Sequence, residues 1–89
     1  MMIIRTFEVR NKLGIHARVA AKLVSVAVRF RSTIYFERDG NEVNAKSLLG
    51  ILTMACPQGS FITIRAEGND AEEAVEAITR LFEDKFGEE

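Results

Sequence analysis

Residues 11–27 read N-K-L-G-I-H-A-R-V-A-A-K-L-V-S-V-A. This stretch connects the first predicted strand to the first predicted helix. Apolar side chains recur there at intervals of three and four residues, at Val19, Ala20, Leu23, Val24 and Ala27. This spacing is typical of a helix that packs one face against a core, so a helix is predicted from Ala17 onward. Val26 and Val28 lie off that face and are β-branched, so the helix is expected to end near Phe30.

On either side of this stretch the sequence alternates between strand and helix patterns. Composition and alternation predict strands at residues 3–9, 33–37, 42–44 and 61–67. Residues 39–41, Asp-Gly-Asn, predict a hairpin turn between the second and third strands. Residues 47–55 are dense in apolar side chains and are ended by Pro57, which predicts a short helix with some apolar surface exposed. The last helix is predicted to begin with a capping box of Asp70 and Glu73. The order β-α-β-β-α-β-α predicts one α+β domain over residues 1–89, with its helices on one face of the sheet.

The composition excludes several classes of protein. The formal net charge of the 89-residue chain is −1, with acidic and basic residues interleaved, so no general basic surface for nucleic acid is expected. The N-terminal M-M-I-I-R-T resembles neither a signal peptide nor a membrane span, which predicts a cytoplasmic protein with no membrane insertion. Cys56 is expected to be a buried apolar residue in a reducing compartment. A lone histidine and a lone cysteine offer no tetrahedral metal site, and no glycine-rich phosphate loop is present, so neither metal nor cofactor is expected.

The only histidine, His16, stands directly before the predicted first helix, where backbone N–H groups have no helical partner. A phosphoryl group on its imidazole would meet those N–H groups and the positive end of the helix dipole. Arg18, in the same turn, could add a guanidinium contact to phosphate oxygens. The residues alone leave an alternative open, in which His16 merely flanks the helix and Arg18 is a solvated charge.

Ser47 directly precedes the predicted short helix and is suited to be its N-cap. It could be a cap and nothing more. Alternatively, a phosphate on its hydroxyl would place charge beside Leu48, Leu49 and Leu52, and would spoil an apolar docking surface without unfolding the protein.

Several segments together resemble the HPr family of the bacterial sugar phosphotransferase system. They are residues 11–18 (N-K-L-G-I-H-A-R) with Ala20-Ala21, residues 43–50 (V-N-A-K-S-L-L-G), Gly59-Ser60, residues 62–64 (I-T-I) and residues 66–68 (A-E-G). They follow the family order and spacing across essentially the whole chain. The resemblance implies an open-faced β-sandwich, in which four antiparallel strands are covered by three helices on one side.

The resemblance also implies a function: a phosphocarrier with a covalent phosphohistidine rather than an enzyme. His16 would accept a phosphoryl group on Nδ1 from phosphorylated enzyme I, which is charged by phosphoenolpyruvate, and transfer it to the A domains of the phosphotransferase system. Arg18 would stabilise the phosphate. Ser47 would be the target of a serine kinase/phosphorylase in the lineages that have one, with a transcriptional regulator as a further partner. The shared docking surface for these partners would consist of Ala17, Ala20, Leu48, Leu49 and Leu52, and the chain is expected to be a monomer.

Val19 departs from the family pattern, which usually has proline directly after the arginine. We expect phosphorylation to survive this difference, because the first helical turn needs no N–H from that position. The same difference is compatible with a member specialised for a regulatory chain. Two other hypotheses stay open: a regulatory binding protein acting through phosphorylated Ser47, and an unrelated small domain that serves only assembly.

Overall fold

The computed structural model describes residues 1–88 and confirms the predicted order of elements. They are β1 (Met2–Glu8), α1 (Ala17–Ala27), β2 (Thr33–Arg38), β3 (Asn41–Asn44), α2 (Leu48–Leu52), β4 (Phe61–Glu67), α3 (Ala71–Glu83) and a 3₁₀ turn (Lys85–Gly87). The α+β class and the open-faced arrangement of four antiparallel strands with three helices are likewise confirmed. Within residues 1–88, no helix is both long and apolar enough to cross a bilayer.

The sheet has the strand order β1-β4-β2-β3, with every neighbouring pair antiparallel. The central strand β4 alternates strictly: Ile62, Ile64 and Ala66 are buried, while the residues between them face the opposite side of the sheet and are at least partly exposed. Successive side chains of a strand point to opposite faces. One face of the sheet is therefore covered, and the other is open.

The core lies between the covered face of the sheet and the helices. Most of the predicted apolar face of α1 is buried there: Val19, Ala20, Leu23 and Ala27 are fully inaccessible, and Val24 is partly buried against the core. The helix ends at Ala27, three residues before the expected boundary, and Val28 is its C-cap. Cys56 is 4% exposed, as expected for an apolar role, and its burial raises the pKa of the thiol.

The second helix covers Leu48–Leu52 and is therefore shorter than the predicted range of residues 47–55. Ala55 adopts a positive φ of 48°, a left-handed conformation that cannot continue a right-handed helix. Ile51 faces the core, whereas Leu48, Leu49 and Leu52 are 42%, 77% and 36% exposed. The predicted exposed apolar surface is therefore present.

The capping box predicted at the start of α3 is wrong. Asp70 is the residue before the helix, but its carboxylate makes no hydrogen bond to the helix N-terminus. It accepts instead from the backbone N–H groups of Arg31 and Ser32, each at 2.9 Å, and from the Ser32 hydroxyl. Asp70 therefore ties the loop between α1 and β2 to the beginning of α3.

This tie predicts an acid-sensitive contribution to stability. Hydrogen bonds from the Ser32 hydroxyl and the Arg31 N–H lower the pKa of Asp70 to about 2. A carboxyl whose folded-state pKa is depressed stabilises the fold above its unfolded-state pKa, and this is lost as pH falls through the folded-state value. Urea unfolding between pH 7 and pH 2 should show a shallower acid loss in Asp70→Asn than in the native chain. The exposed Glu72→Gln serves as the control, and an unchanged acid slope in Asp70→Asn would contradict the prediction.

Candidate functional site

His16 is the N-cap of α1, and the preceding loop places it there. Its backbone is extended, with φ −92° and ψ −179°, and its carbonyl accepts the first helical hydrogen bond from Ala20 N at 2.9 Å. Gly14 has a φ of +70°, and a Cβ on it would lie 2.4 Å from the carbonyl oxygen of Cys56. The next residue, Ile15, donates its N–H to that same oxygen at 2.9 Å. The loop therefore needs glycine at this position in order to pass so close to the segment before β4.

The two ring nitrogens of His16 make different contacts, which together determine the neutral tautomer. Nδ1 accepts a hydrogen bond from the backbone N–H of Arg18 at 3.3 Å. Nε2 lies 2.9 Å and 3.0 Å from the two carboxylate oxygens of Glu88. A carboxylate only accepts, so Nε2 carries the hydrogen and Nδ1 keeps its lone pair. With 28% of the side chain exposed, the imidazole is accessible from solvent.

The carboxylate of Glu88 is held by three donors. Besides His16, the Asn11 amide donates to it at 2.9 Å and the Arg18 guanidinium at 2.9 Å. Hydrogen bonds from His16 and then Asn11, with a further one from Arg18, outweigh burial and lower the pKa of Glu88 to about 2. The site therefore holds a fixed negative charge beside the imidazole at neutral pH.

The 3₁₀ turn after α3 brings Glu88 to this position. Phe86 is 1% exposed and packs edge-on against Phe82, with the ring centroids 4.9 Å apart. Lys22 of α1 donates to the Phe86 carbonyl at 2.5 Å. Sequence reasoning missed Glu88, because the contact joins residues 72 positions apart and has no local pattern.

Arg18 and Ser47 occupy the predicted places. The structure brings Arg18 to His16: its backbone N–H donates to Nδ1, and its guanidinium donates to the same Glu88 carboxylate that the His16 ring contacts. Its role toward a phosphate stays a prediction. Ser47 is the N-cap of α2, and its hydroxyl oxygen accepts from Gly50 N at 3.0 Å. Its suitability as a cap is thus confirmed, while its modification stays a prediction.

The predicted docking surface needs one correction. Ala17 is exposed, and so are the three leucines of α2 named above. Ala20 is fully inaccessible because it points from α1 into the core, so it cannot contact a partner in this conformation. Leu13, three residues before His16, is 72% exposed and was not part of the prediction.

The chain is similar to known proteins over nearly its whole length. A family model described as "PTS HPr component phosphorylation site" matches residues 3–84. The chain is 42% identical to the phosphocarrier protein HPr of Xylella fastidiosa over 99% of each chain. It is 46% identical to the HPr-like protein Crh of Halalkalibacterium halodurans, over 92% of this chain and 98% of the relative. The crystal structure of HPr from Thermoanaerobacter tengcongensis superposes with a TM-score of 0.94 at 47% identity, covering 98% of each chain.

These matches cover nearly the whole chain, and the fold agrees with them. The chain belongs to the HPr family of phosphocarrier proteins of the phosphotransferase system.

Val19 provides a test of the departure from the family pattern. Its side chain is fully buried, but its N–H precedes the first hydrogen bond of the helix ladder, from Ala20 to His16. Val19→Pro is therefore expected to change the free energy of unfolding by less than about 1 kcal/mol and to leave phosphorylation intact. Urea unfolding and labelling with phosphoenolpyruvate check both parts.

The matched control is Ala21→Pro, at an exposed position of the same helix. There proline removes a ladder hydrogen bond and should destabilise the protein by about 3 kcal/mol. If Val19→Pro destabilises the chain as much as Ala21→Pro does, the valine N–H or side chain matters more than the helix geometry implies.

Proposed function

We propose that this chain accepts a phosphoryl group on Nδ1 of His16 from phosphorylated enzyme I and transfers it to phosphotransferase-system A domains. The observation that supports this most is the state of the imidazole: Nδ1 keeps an unprotonated lone pair at the N-terminus of α1, while Nε2 holds the hydrogen. In the first transfer the bond from phosphorus to its carrier group on enzyme I breaks as the bond to Nδ1 forms. Handover to an acceptor reverses these roles.

The groups around Nδ1 can stabilise the negative charge of the phosphoryl group that is transferred. The Arg18 N–H now points at Nδ1 and can turn to a phosphoryl oxygen once that nitrogen is bonded to phosphorus. The first residue of α1, Ala17, adds a further N–H without a helical partner. The Arg18 side chain is 68% exposed, and its guanidinium, which donates to Glu88 here, could turn to the phosphate and bind two of its oxygens.

Phosphorus NMR of the full chain tests this proposal. The protein is mixed with enzyme I and phosphoenolpyruvate, and an acid-labile phosphoimidazole signal is expected, which disappears when an A domain is added. If no such signal forms with active enzyme I, the carrier function fails, and a regulatory binding protein acting through Ser47 becomes the better hypothesis.

We also propose that phosphorylation of Ser47 regulates this transfer through the surface formed by Ala17, Leu48, Leu49 and Leu52. Ser47 directly precedes two of these exposed leucines, so a phosphate there adds about two negative charges to an apolar contact area. A partner that buries the leucines must then desolvate that charge.

The effect of charge at Ser47 can be isolated with two variants. Ser47→Asp should slow phosphorylation of His16 by enzyme I roughly tenfold, equivalent to about 1.4 kcal/mol of lost binding. Ser47→Ala removes the cap without adding charge, so it should lower stability by about 1 kcal/mol and leave the rate nearly unchanged. Initial rates at limiting enzyme I give the comparison. Equal rates in the two variants would show that this surface does not bind enzyme I.

We further propose that the chain acts in the cytoplasm and as a monomer. The partial exposure of His16 supports handover between one carrier and one partner at a time. Sedimentation equilibrium at micromolar concentration tests the oligomeric state, and a dimer would overturn this part of the proposal.

A further inference from the structure

We propose that Glu88 is a positioning residue for phosphoryl transfer, a role that rests on the proposed function of His16. Its carboxylate accepts the Nε2 hydrogen of His16, and so keeps the Nδ1 lone pair available. It also offsets the positive charge that the ring acquires when Nδ1 bonds to phosphorus.

The contacts of the imidazole support the first part of this role. A ring that can rotate and exchange its hydrogen between two nitrogens presents the correct nucleophile for only part of the time. Here Glu88 holds Nε2 with both carboxylate oxygens, at 2.9 Å and 3.0 Å, while the Arg18 N–H holds Nδ1 from the other side. The two contacts select the same tautomer and the same ring orientation.

The charge balance of the reaction supports the second part. When Nδ1 forms its bond to phosphorus, the hydrogen stays on Nε2, so the phosphorylated ring is cationic. A carboxylate in hydrogen-bond contact with Nε2 stabilises that cation, as a buried aspartate does for the histidine of a catalytic triad. Glu88 is only 13% exposed, which reduces screening of this interaction by solvent.

Contacts with buried residues hold Glu88 and the turn before it in place. Asn11 is fully buried and donates its amide both to Glu88 at 2.9 Å and to the Gly14 carbonyl at 2.8 Å. Phe86 anchors the preceding turn in the core. The Asn11 side chain therefore joins the loop that carries His16 to the segment that carries Glu88, in addition to the contact of the His16 ring itself.

The opposite role is also chemically possible, and it predicts the opposite sign. Glu88 occupies the Arg18 guanidinium at 2.9 Å, so it could compete with the incoming phosphate for that group. Removal of a competitor would accelerate phosphorylation, whereas removal of a positioning residue slows it. We favour positioning because Glu88 contacts the ring through Nε2, the nitrogen that does not receive the phosphoryl group in the proposed transfer.

The experiment compares Glu88→Ala and Glu88→Gln with the native full-length chain. Initial rates are measured with enzyme I and phosphoenolpyruvate, and the phosphohistidine signal is followed by phosphorus NMR across pH. Glu88→Ala should lower kcat/KM about tenfold. The midpoint at which the phosphohistidine signal titrates should fall by about one pH unit in both variants, because both lose the carboxylate charge. Glu88→Gln keeps an acceptor oxygen for the Nε2 hydrogen, so its rate should lie between those of the native chain and Glu88→Ala.

Glu83→Gln, at an exposed position near the end of α3, is the matched control and should behave as the native chain. A rate in Glu88→Ala equal to or faster than native would overturn the inference. So would a slower rate without a shift of the titration midpoint, which would mark a purely structural role. If the native chain forms no phosphohistidine, the proposed function itself fails. If the native chain is phosphorylated and the Glu88 variants match it, only the present inference fails.

Discussion

Replacing His16 with alanine is expected to abolish labelling of the chain by phosphoenolpyruvate and enzyme I. The chain contains no other imidazole, and the nucleophile is lost with the side chain. The fold should persist, because the His16 side chain is partly exposed and its carbonyl still accepts from Ala20. Loss of the N-cap contact from Nδ1 should destabilise the protein by about 1 kcal/mol. Quantitative labelling with ³²P-phosphoenolpyruvate, alongside circular dichroism, gives both measurements.

A second variant separates the cap from the nucleophile. His16→Asn supplies a side-chain oxygen that can accept from the Arg18 N–H, so it should restore the stability lost in His16→Ala. It offers no ring nitrogen, so it should remain unlabelled. Retained labelling in either variant would place the phosphoryl group elsewhere on the chain and would remove the carrier mechanism proposed here.

Replacing Gly14 with alanine is expected to have the second largest effect, this time on the fold around the site. The φ of +70° is left-handed, and the added Cβ would lie 2.4 Å from the Cys56 oxygen and 2.9 Å from the Pro57 Cα. Both contacts are with backbone, which cannot move without breaking the hydrogen bond from Ile15 to Cys56. Strain and displacement together should lower the free energy of unfolding by about 3 kcal/mol or more. Transfer should fall as well, because His16 follows two residues later.

Gly40→Ala is the matched control for this experiment. Gly40 also has a positive φ, of 83°, but a Cβ there would meet nothing within 4 Å. Gly40→Ala should therefore lower the free energy of unfolding only through the strain of the left-handed backbone, by about 1 kcal/mol. Urea unfolding of the two variants under identical conditions separates the effect of backbone strain from that of the steric clash. Equal losses in the free energy of unfolding would mean that the backbone around Gly14 can move away from the added Cβ at no cost in stability.

Local features of the structure follow closely from the sequence. The apolar face of α1 and the alternation of β4 were predicted from spacing alone, because helix and strand periods determine which side chains share a face. The place of His16 before α1 and that of Ser47 before α2 followed in the same way. At this local level the errors concern the ends of elements. Ala55 adopts a left-handed conformation that the spacing of apolar residues cannot predict, and α2 ends before it.

Long-range partners could not be predicted in this way. Asp70 was expected to cap α3, but it binds the backbone of Arg31 and Ser32, nearly forty residues earlier. Ala20 was expected on the docking surface, but the packing of α1 on the core buries it completely. In both cases the residue type allowed either role, and the neighbouring elements decided between them.

The sequence by itself determined the order of helices and strands, the faces that are buried and the position of one histidine at a helix N-terminus. These features depend on residues within a few positions of each other, so their spacing is visible in the chain. Only the tertiary structure decided which nitrogen of His16 keeps its lone pair, because Glu88 reaches Nε2 from 72 residues away. That contact exists because Phe86 is anchored in a core built from distant segments, and a local pattern carries no information about such packing.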